Sequence, residues 1–310
     1  MLSSPKQLPP LPFRPLIIHN DLDGLLSYLF LREKGYELAG VYDLETLYMK
    51  PGVRPADCLA VDLDISHPLI PSIGHHFLLF SAESHINMNM LFGVSTPENV
   101  SERMKRAFVS KCPVPTALFL HWLTGTPLPA DPLRQAWLVY ADTLHESFRK
   151  YTPNVTNWLL AMGYGEILHR LSSDTYAPHF RHIVDVLSRF GFSPTTQKPF
   201  PQCRFSPSRL PSLLPFLQVL AREMGFRSVD NLPAVQPRLQ GARYSLRFHP
   251  GVFEALGRKF REWELLSHSL VYHDQVEVTL LVPLSEQSDP VLWNAVRTCL
   301  SLPKSEKSPA

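Results

Sequence analysis

The chain lacks an excess of charge of either sign: 30 lysines and arginines stand against 28 acidic residues, a formal net charge of +2. That excludes an overall basic field of the kind that holds nucleic acid unselectively. Cysteine is scarce, with Cys58, Cys112, Cys203 and Cys299 far apart and no CxxC pair. A zinc knuckle or a disulfide scaffold is therefore not expected, and reduced thiols in the cytoplasm are the simpler reading. No stretch approaches the ~18 apolar residues that cross a bilayer. The first 14 residues are Pro-rich and carry no apolar segment of the signal-peptide kind. A soluble, cytoplasmic protein without membrane contact is expected. An internal repeat, a P-loop and a nucleophile elbow are also missing.

What is present is an ordinary globular balance over 310 residues, 45% hydrophobic and 19% charged, which excludes disorder of the whole chain. The 30 prolines are about twice the usual ~5% and must lie in loops, strand edges and helix starts. Length suggests two domains or one large one. Short apolar runs at 16–19, 36–42, 58–63 and 77–80 read as strands. Helical spacing marks 24–35, 98–111, 116–123, 132–149, 155–171 and 179–190. Strands alternating with helices predict an α/β domain built on a parallel sheet with helices on both faces. A Pro-rich stretch follows and reads as a linker. Beyond it, helical spacing at 213–224, 252–266 and 291–300 and strand patterns at 244–248 and 276–282 predict a smaller α+β unit. The expected division is an arm at 1–14, a metal-binding catalytic domain at 15–192, a linker at 193–212, a substrate-binding domain at 213–303 and a tail at 304–310.

The sharpest motif is IIHNDLDGLLS, residues 17–27, where a buried strand ends at His19 and Asp21 and Asp23 follow before a helix. In parallel α/β sheets ligands bind at the carboxyl ends of strands. One imidazole and two carboxylates at two-residue spacing there invite a divalent cation, and mixed nitrogen and oxygen donors suit Mn²⁺, Fe²⁺ or Zn²⁺ better than Ca²⁺. The alternative is that Asp21 caps the helix and Asp23 favours its dipole. Three more features share the logic. Asp62 ends the strand LAVDLD (59–64), with Asp64 as the other carboxylate on offer. His75-His76 precede the apolar run FLLF. Asp142 interrupts the apolar segment AWLVYADTL. His145, one helical turn from Asp142, is expected on a solvated helix face, with a supporting role beside the site as the other reading.

The order HxDxD, Asp, His-His, Asp-Thr resembles the DHH (Asp-His-His) phosphoesterase superfamily over roughly residues 15–150. The first motif matches well, including Gly24 and Ser27. The resemblance implies two divalent metal ions, with Mn²⁺ (manganese) the first choice and Mg²⁺ or Co²⁺ the others. His19, Asp21 and Asp142 would hold one, Asp23 and His75 the other, and Asp62 would bridge them. Asp62 and His76 would be the catalytic groups, with His76 on the scissile phosphate. The implied chemistry is hydrolysis of a nucleotide phosphodiester by a metal-activated hydroxide, on a single-stranded nucleic acid end or a short or cyclic oligonucleotide. The motif that names the superfamily reads Gly74-His75-His76 here, without its aspartate. Taking Glu83-Ser84-His85 as that motif, with His85 as ligand, is the other register. No GGH motif occurs in residues 200–310. Arg243 and Arg247, on one face of a strand with Ser245, are the substrate-binding candidates, and a solvated strand face is the plainer reading. The alternatives are a catalytically impaired nucleotide sensor that keeps the cleft, or an inorganic pyrophosphatase.

Overall fold

The computed structural model describes residues 11–65, 70–74, 112–193, 203–247, 265–272 and 275–283, those from 242 onward as backbone. Strand β1 (Leu16–His19) is buried along its whole length, so its apolar run shows no alternation. The two faces still differ: Leu16 and Ile18 enter one core and Ile17 the other. Helix α1 (Leu22–Arg32) follows and leads to β2 (Leu38–Tyr42), which pairs parallel to β1. A short antiparallel strand, β3 (Thr46–Met49), turns back on β2. The chain then crosses to the far side of β1 and forms β4 (Leu59–Val61) and β5 (Ser72–Ile73), both parallel to β1. The connection after β1 therefore goes one way and that after β4 the other. This makes a topological switch point between β1 and β4, the place where open α/β sheets form a ligand crevice.

The described helices beyond are α2 (Thr116–Leu123), α3 (Pro132–Tyr140), α4 (Leu144–Lys150), α5 (Thr152–Ala161), α6 (Gly165–Ser172), α7 (Ala177–Arg189) and α8 (Leu214–Met224). Their buried side chains join the core that takes Leu16 and Ile18. The opposite core is built, among the described residues, from strands and loops alone, including Ile17, Ala39, Ala60 and Ile70. The expected helices on both faces are thus seen on one face of the described chain.

Three further strands extend the sheet: β6 (Gln236–Arg247), β7 (Leu265–Tyr272) and β8 (Gln275–Pro283). The order is β5-β4-β1-β2-β3-β6-β8-β7. The molecule is mixed α/β, but the sheet is parallel only over β5-β4-β1-β2, and every other pairing is antiparallel. Tight reversals after β2 and between β7 and β8 leave no room for the crossover a parallel neighbour needs. Residues 203–232, read in part as a linker, contribute Cys203, Phe205, Leu210, Phe216, Leu220 and Val229 to the same core as β1 and α1.

Two long helical patterns are broken. The stretch 132–149 divides at a turn where Thr143 adopts φ 63°, a left-handed conformation rare outside glycine. The stretch 155–171 divides at Gly163, φ 77°, where Tyr164 N donates back to Leu159 O at 2.7 Å in a helix-terminating loop. In both, apolar spacing runs through the break, so periodicity alone reads one helix. Leu265 and Leu266, expected at the end of a helix, open strand β7. The strand at 77–80 and the helices at 98–111 and 291–300 lie outside the described residues, as does nearly all of that at 252–266. No helix among the described residues is long and apolar enough to cross a membrane.

Candidate metal centre

The register of β1 and β4 pairs Ile18 with Val61, so His19 and Asp62 emerge side by side at the carboxyl edge, at the switch point. Asp21 joins them from the turn before α1. Its side chain caps that helix, accepting from Gly24 N at 3.1 Å. Gly24 is dictated by close approach: a Cβ there would overlap the His19 carbonyl oxygen, with His19 C at 3.0 Å. Only glycine lets α1 start so tightly on the end of β1. His19 Nδ1 lies 2.6 Å from Asp21 Oδ2 and 3.6 Å from Asp62 Oδ2. These three residues offer donor atoms within 4.8 Å of one another, the grouping a metal ion needs. His19 Nε2 is buried and has no hydrogen-bond partner among the described residues.

Asp62 adopts φ 59°, a strained backbone of the sort that clusters at functional sites. Its charge is also disfavoured. Burial, and then the carboxylates of Asp23, Asp21 and Asp142, push its pKa well above the ordinary value. Asp21 goes the other way. Burial raises it, but the adjacent His19 and hydrogen bonds from His19, Gly24 and Asp62 outweigh that and hold it well below the usual carboxylate range. The charged form is thus disfavoured at Asp62 and favoured at Asp21. The donor set and the buried imidazole nitrogen fit a divalent cation, which would relieve this crowding of carboxylates. Of the pair in LAVDLD, Asp62 belongs to the cluster.

The other expected ligands are placed differently. Asp23 is buried and turned to the start of α2, where Oδ2 accepts from Thr116 N at 2.7 Å and Oδ1 from Ala117 N at 2.9 Å. Asp142 sits in the turn between α3 and α4, near enough for its charge to act on Asp62 but outside the three-residue cluster. His145 is half-buried, not on an open helix face. It stacks with Tyr140, centroids 5.7 Å apart, and packs on Phe180 at 4.4 Å, and burial pushes its pKa down to about 4. Arg243 and Arg247 occupy alternate positions of β6, opposite Thr279 and Gln275. His75, His76, Glu83 and His85 lie outside the described residues.

Three contributors escaped the sequence reading. Thr116 donates its hydroxyl to Asp62 Oδ1 at 2.9 Å. Asn20 is clamped from a distant segment: Nδ2 donates to Phe205 O at 2.7 Å, and Phe205 N donates to Asn20 O at 3.0 Å. Cys203, in that segment, is buried near Asp21, and burial and that carboxylate push its thiol up to about 12. One signal was available for the first: α2 starts at Pro115-Thr116 with no side-chain cap of its own, so its free N–H groups needed an outside acceptor. No family model, curated protein or solved structure matches this chain.

Proposed function

We propose that the chain is a divalent-metal-dependent phosphodiesterase of the DHH type, acting on nucleotide phosphodiesters of single-stranded ends or short or cyclic oligonucleotides. The observation that carries this reading is the buried cluster of His19, Asp21 and Asp62 at the switch point of the sheet. His19, Asp21 and Asp62 would hold the ion, Mn²⁺ in the first instance, with Asp142 beside them and His75 and His76 next in the motif order. Such an ion supplies Lewis acidity toward a phosphoryl oxygen and a water nucleophile at neutral pH. The chain's own part is orientation and proton handling. Asp21 holds His19 through Nδ1, Thr116 steadies Asp62, and a bound cation would favour the charged form of Asp62 that its surroundings disfavour. The ladder also supports a substrate role for β6. Thr46, which opens β3 just past the carboxyl end of β2, pairs with Gln240, so residues 241–247 run on beyond the edge that bears His19. Arg243 and Arg247 are on that extension.

The test is hydrolysis of bis-(p-nitrophenyl) phosphate and of a labelled short oligonucleotide, with Mn²⁺ or with EDTA, by wild type, Asp21→Ala and Asp62→Ala. Turnover that needs Mn²⁺ and is lost in both variants is the expected result. Cleavage of pyrophosphate alone would replace this reading with a pyrophosphatase. Mn²⁺ binding that needs Asp21 and Asp62 but no turnover would point to a sensor. Neither binding nor turnover would end the metal-site reading.

A further inference from the structure

Asn20 stands in the chain between His19 and Asp21 and is held by a residue 185 positions away. Its side-chain Nδ2 donates to Phe205 O at 2.7 Å, and Phe205 N donates to its backbone carbonyl at 3.0 Å. Phe205 thus exchanges both of its backbone groups with one residue, as in a strand pair, with a side-chain amide in place of the second backbone N–H. The Asn20 carbonyl and the Asp21 N–H belong to one rigid peptide plane. The bond from Phe205 therefore fixes the plane that precedes Asp21. The plane that follows is fixed by the first bond of α1, from Leu25 N to Asp21 O at 3.1 Å. With both planes tied, the extended backbone at Asp21 is set, and so is the direction in which its side chain leaves the chain. That direction serves the cluster: Oδ1 takes Gly24 N, and Oδ2 lies 2.6 Å from His19 Nδ1. The anchor is firm, because Phe205 is buried in the core that takes Leu16 and Ile18. The same segment brings Cys203 close enough for the Asp21 carboxylate to act on its thiol.

Asn20 is a poor choice for stability alone. It is only 6% exposed, and its Oδ1 is buried with no hydrogen-bond partner among the described residues. A buried acceptor left unpaired is costly, so a half-satisfied amide at this position calls for a reason beyond the fold.

We propose that Asn20 is a positioning residue of the metal centre: through its two-way tie to Phe205 it orients Asp21, and through Asp21 the imidazole of His19. This role presupposes the metal-site reading above and extends it to a residue outside the donor set. It also makes residues 203–205 part of the frame of the centre.

Mn²⁺ calorimetry, the visible spectrum of bound Co²⁺ and urea unfolding of the metal-free protein test it on wild type, Asp21→Ala, Asn20→Leu and Phe205→Leu. Leucine matches asparagine in shape but has no amide. It leaves Phe205 O without its donor and removes the unpaired Oδ1 together, so unfolding should change little. Mn²⁺ binding is expected to weaken by about 10–100-fold, as when other groups that support metal ligands are lost, and the Co²⁺ spectrum to shift. Phe205→Leu keeps both backbone groups and loses part of the ring's packing. It should unfold more easily, yet bind Mn²⁺ with near wild-type affinity and an unchanged Co²⁺ spectrum. If Asn20→Leu does not fold, Asn20→Ala is measured in its place, with the same expectation for Mn²⁺ and Co²⁺. Wild-type affinity and spectrum in the Asn20 variant, alongside loss in Asp21→Ala, would overturn the role of Asn20 and leave the metal site standing. So would weakening that follows stability alone, equal in Phe205→Leu and without a spectral shift. Failure of the wild type to bind Mn²⁺ would overturn both.

Discussion

Asp23 and Thr116, 93 residues apart in sequence, are joined by a 2.7 Å bond from the Thr116 N–H to the Asp23 carboxylate. The same Asp23 carboxylate takes the Ala117 N–H, and the Thr116 hydroxyl reaches Asp62. One helix start is therefore tied to two carboxylates of the motif, and the motif closes the helix's open N–H groups in return. An anion at a helix N-terminus is favourable both through its hydrogen bonds and through the dipole. Fold stability and site geometry meet at this contact.

Removing Asp23 should be expensive for the fold whatever the protein's activity. Asp23→Ala leaves two buried N–H groups unpaired at the start of α2 and should cost about 2–3 kcal/mol. Urea unfolding of the metal-free protein measures it. A variant as stable as wild type would mean that α2 is capped by another group.

Gly24→Ala places a methyl group against the carbonyl of His19, a backbone atom that cannot move aside cheaply. Overpacking of that kind costs about 3 kcal/mol. It should lower the unfolding midpoint and, by pushing α1 off β1, weaken Mn²⁺ binding as well. Alanine at this position with unchanged thermal stability would show that the helix start is looser than described.

Asp62→Asn should separate stability from function. In the metal-free protein the native carboxyl holds its proton above the ordinary range, so the folded state binds an extra proton there. Stability of the wild type therefore falls as pH rises through that range, and the variant loses the slope. Neutralising this crowded carboxylate should stabilise the metal-free fold at neutral pH by about 0.5–2 kcal/mol, and asparagine tolerates the left-handed backbone. Mn²⁺ binding should be lost. In the wild type that binding should strengthen with rising pH, because Asp62 must give up its proton. Unfolding curves across pH with and without Mn²⁺ report all three.

His145 gives a prediction with the opposite slope. Its native pKa, about 4, is below the ordinary 6.5, because burial against Tyr140 and Phe180 disfavours the imidazolium. Between those values the unfolded state binds the extra proton. Stability is thus held above pH 6.5 and lost as pH falls toward 4, by on the order of 2–3 kcal/mol. His145→Phe keeps the aromatic packing and should flatten this part of the acid transition. An acid limb unchanged in the variant would remove His145 from its causes.

Much of the site was legible because its signals are local. Three apolar residues and then His19, with Asp21 as cap and Gly24 inside the first turn, specify a strand-turn-helix without help from elsewhere. Helix α2 is predicted over its observed range, since its ends lie between prolines and a Thr-Gly turn. The breaks at Thr143 and Gly163 were not legible, because apolar spacing continues across both. The antiparallel half of the sheet was not legible either. A strand's partner and direction depend on chain that may lie 190 residues away, as with β3 and β6.

The sequence by itself determined two of the chemical groups that stand at the carboxyl edge, His19 after β1 and Asp62 after β4, each at the end of a short apolar run that must be buried. Only the tertiary structure decided what each group does. A carboxylate's role depends on what faces it, and those partners come from distant chain. Asp23 meets the start of α2 and becomes a cap. Asp62 meets three other carboxylates, which disfavour its charge. His145, read as exposed from its helical spacing, is packed against the touching rings of Tyr140 and Phe180 because α7 folds over α3.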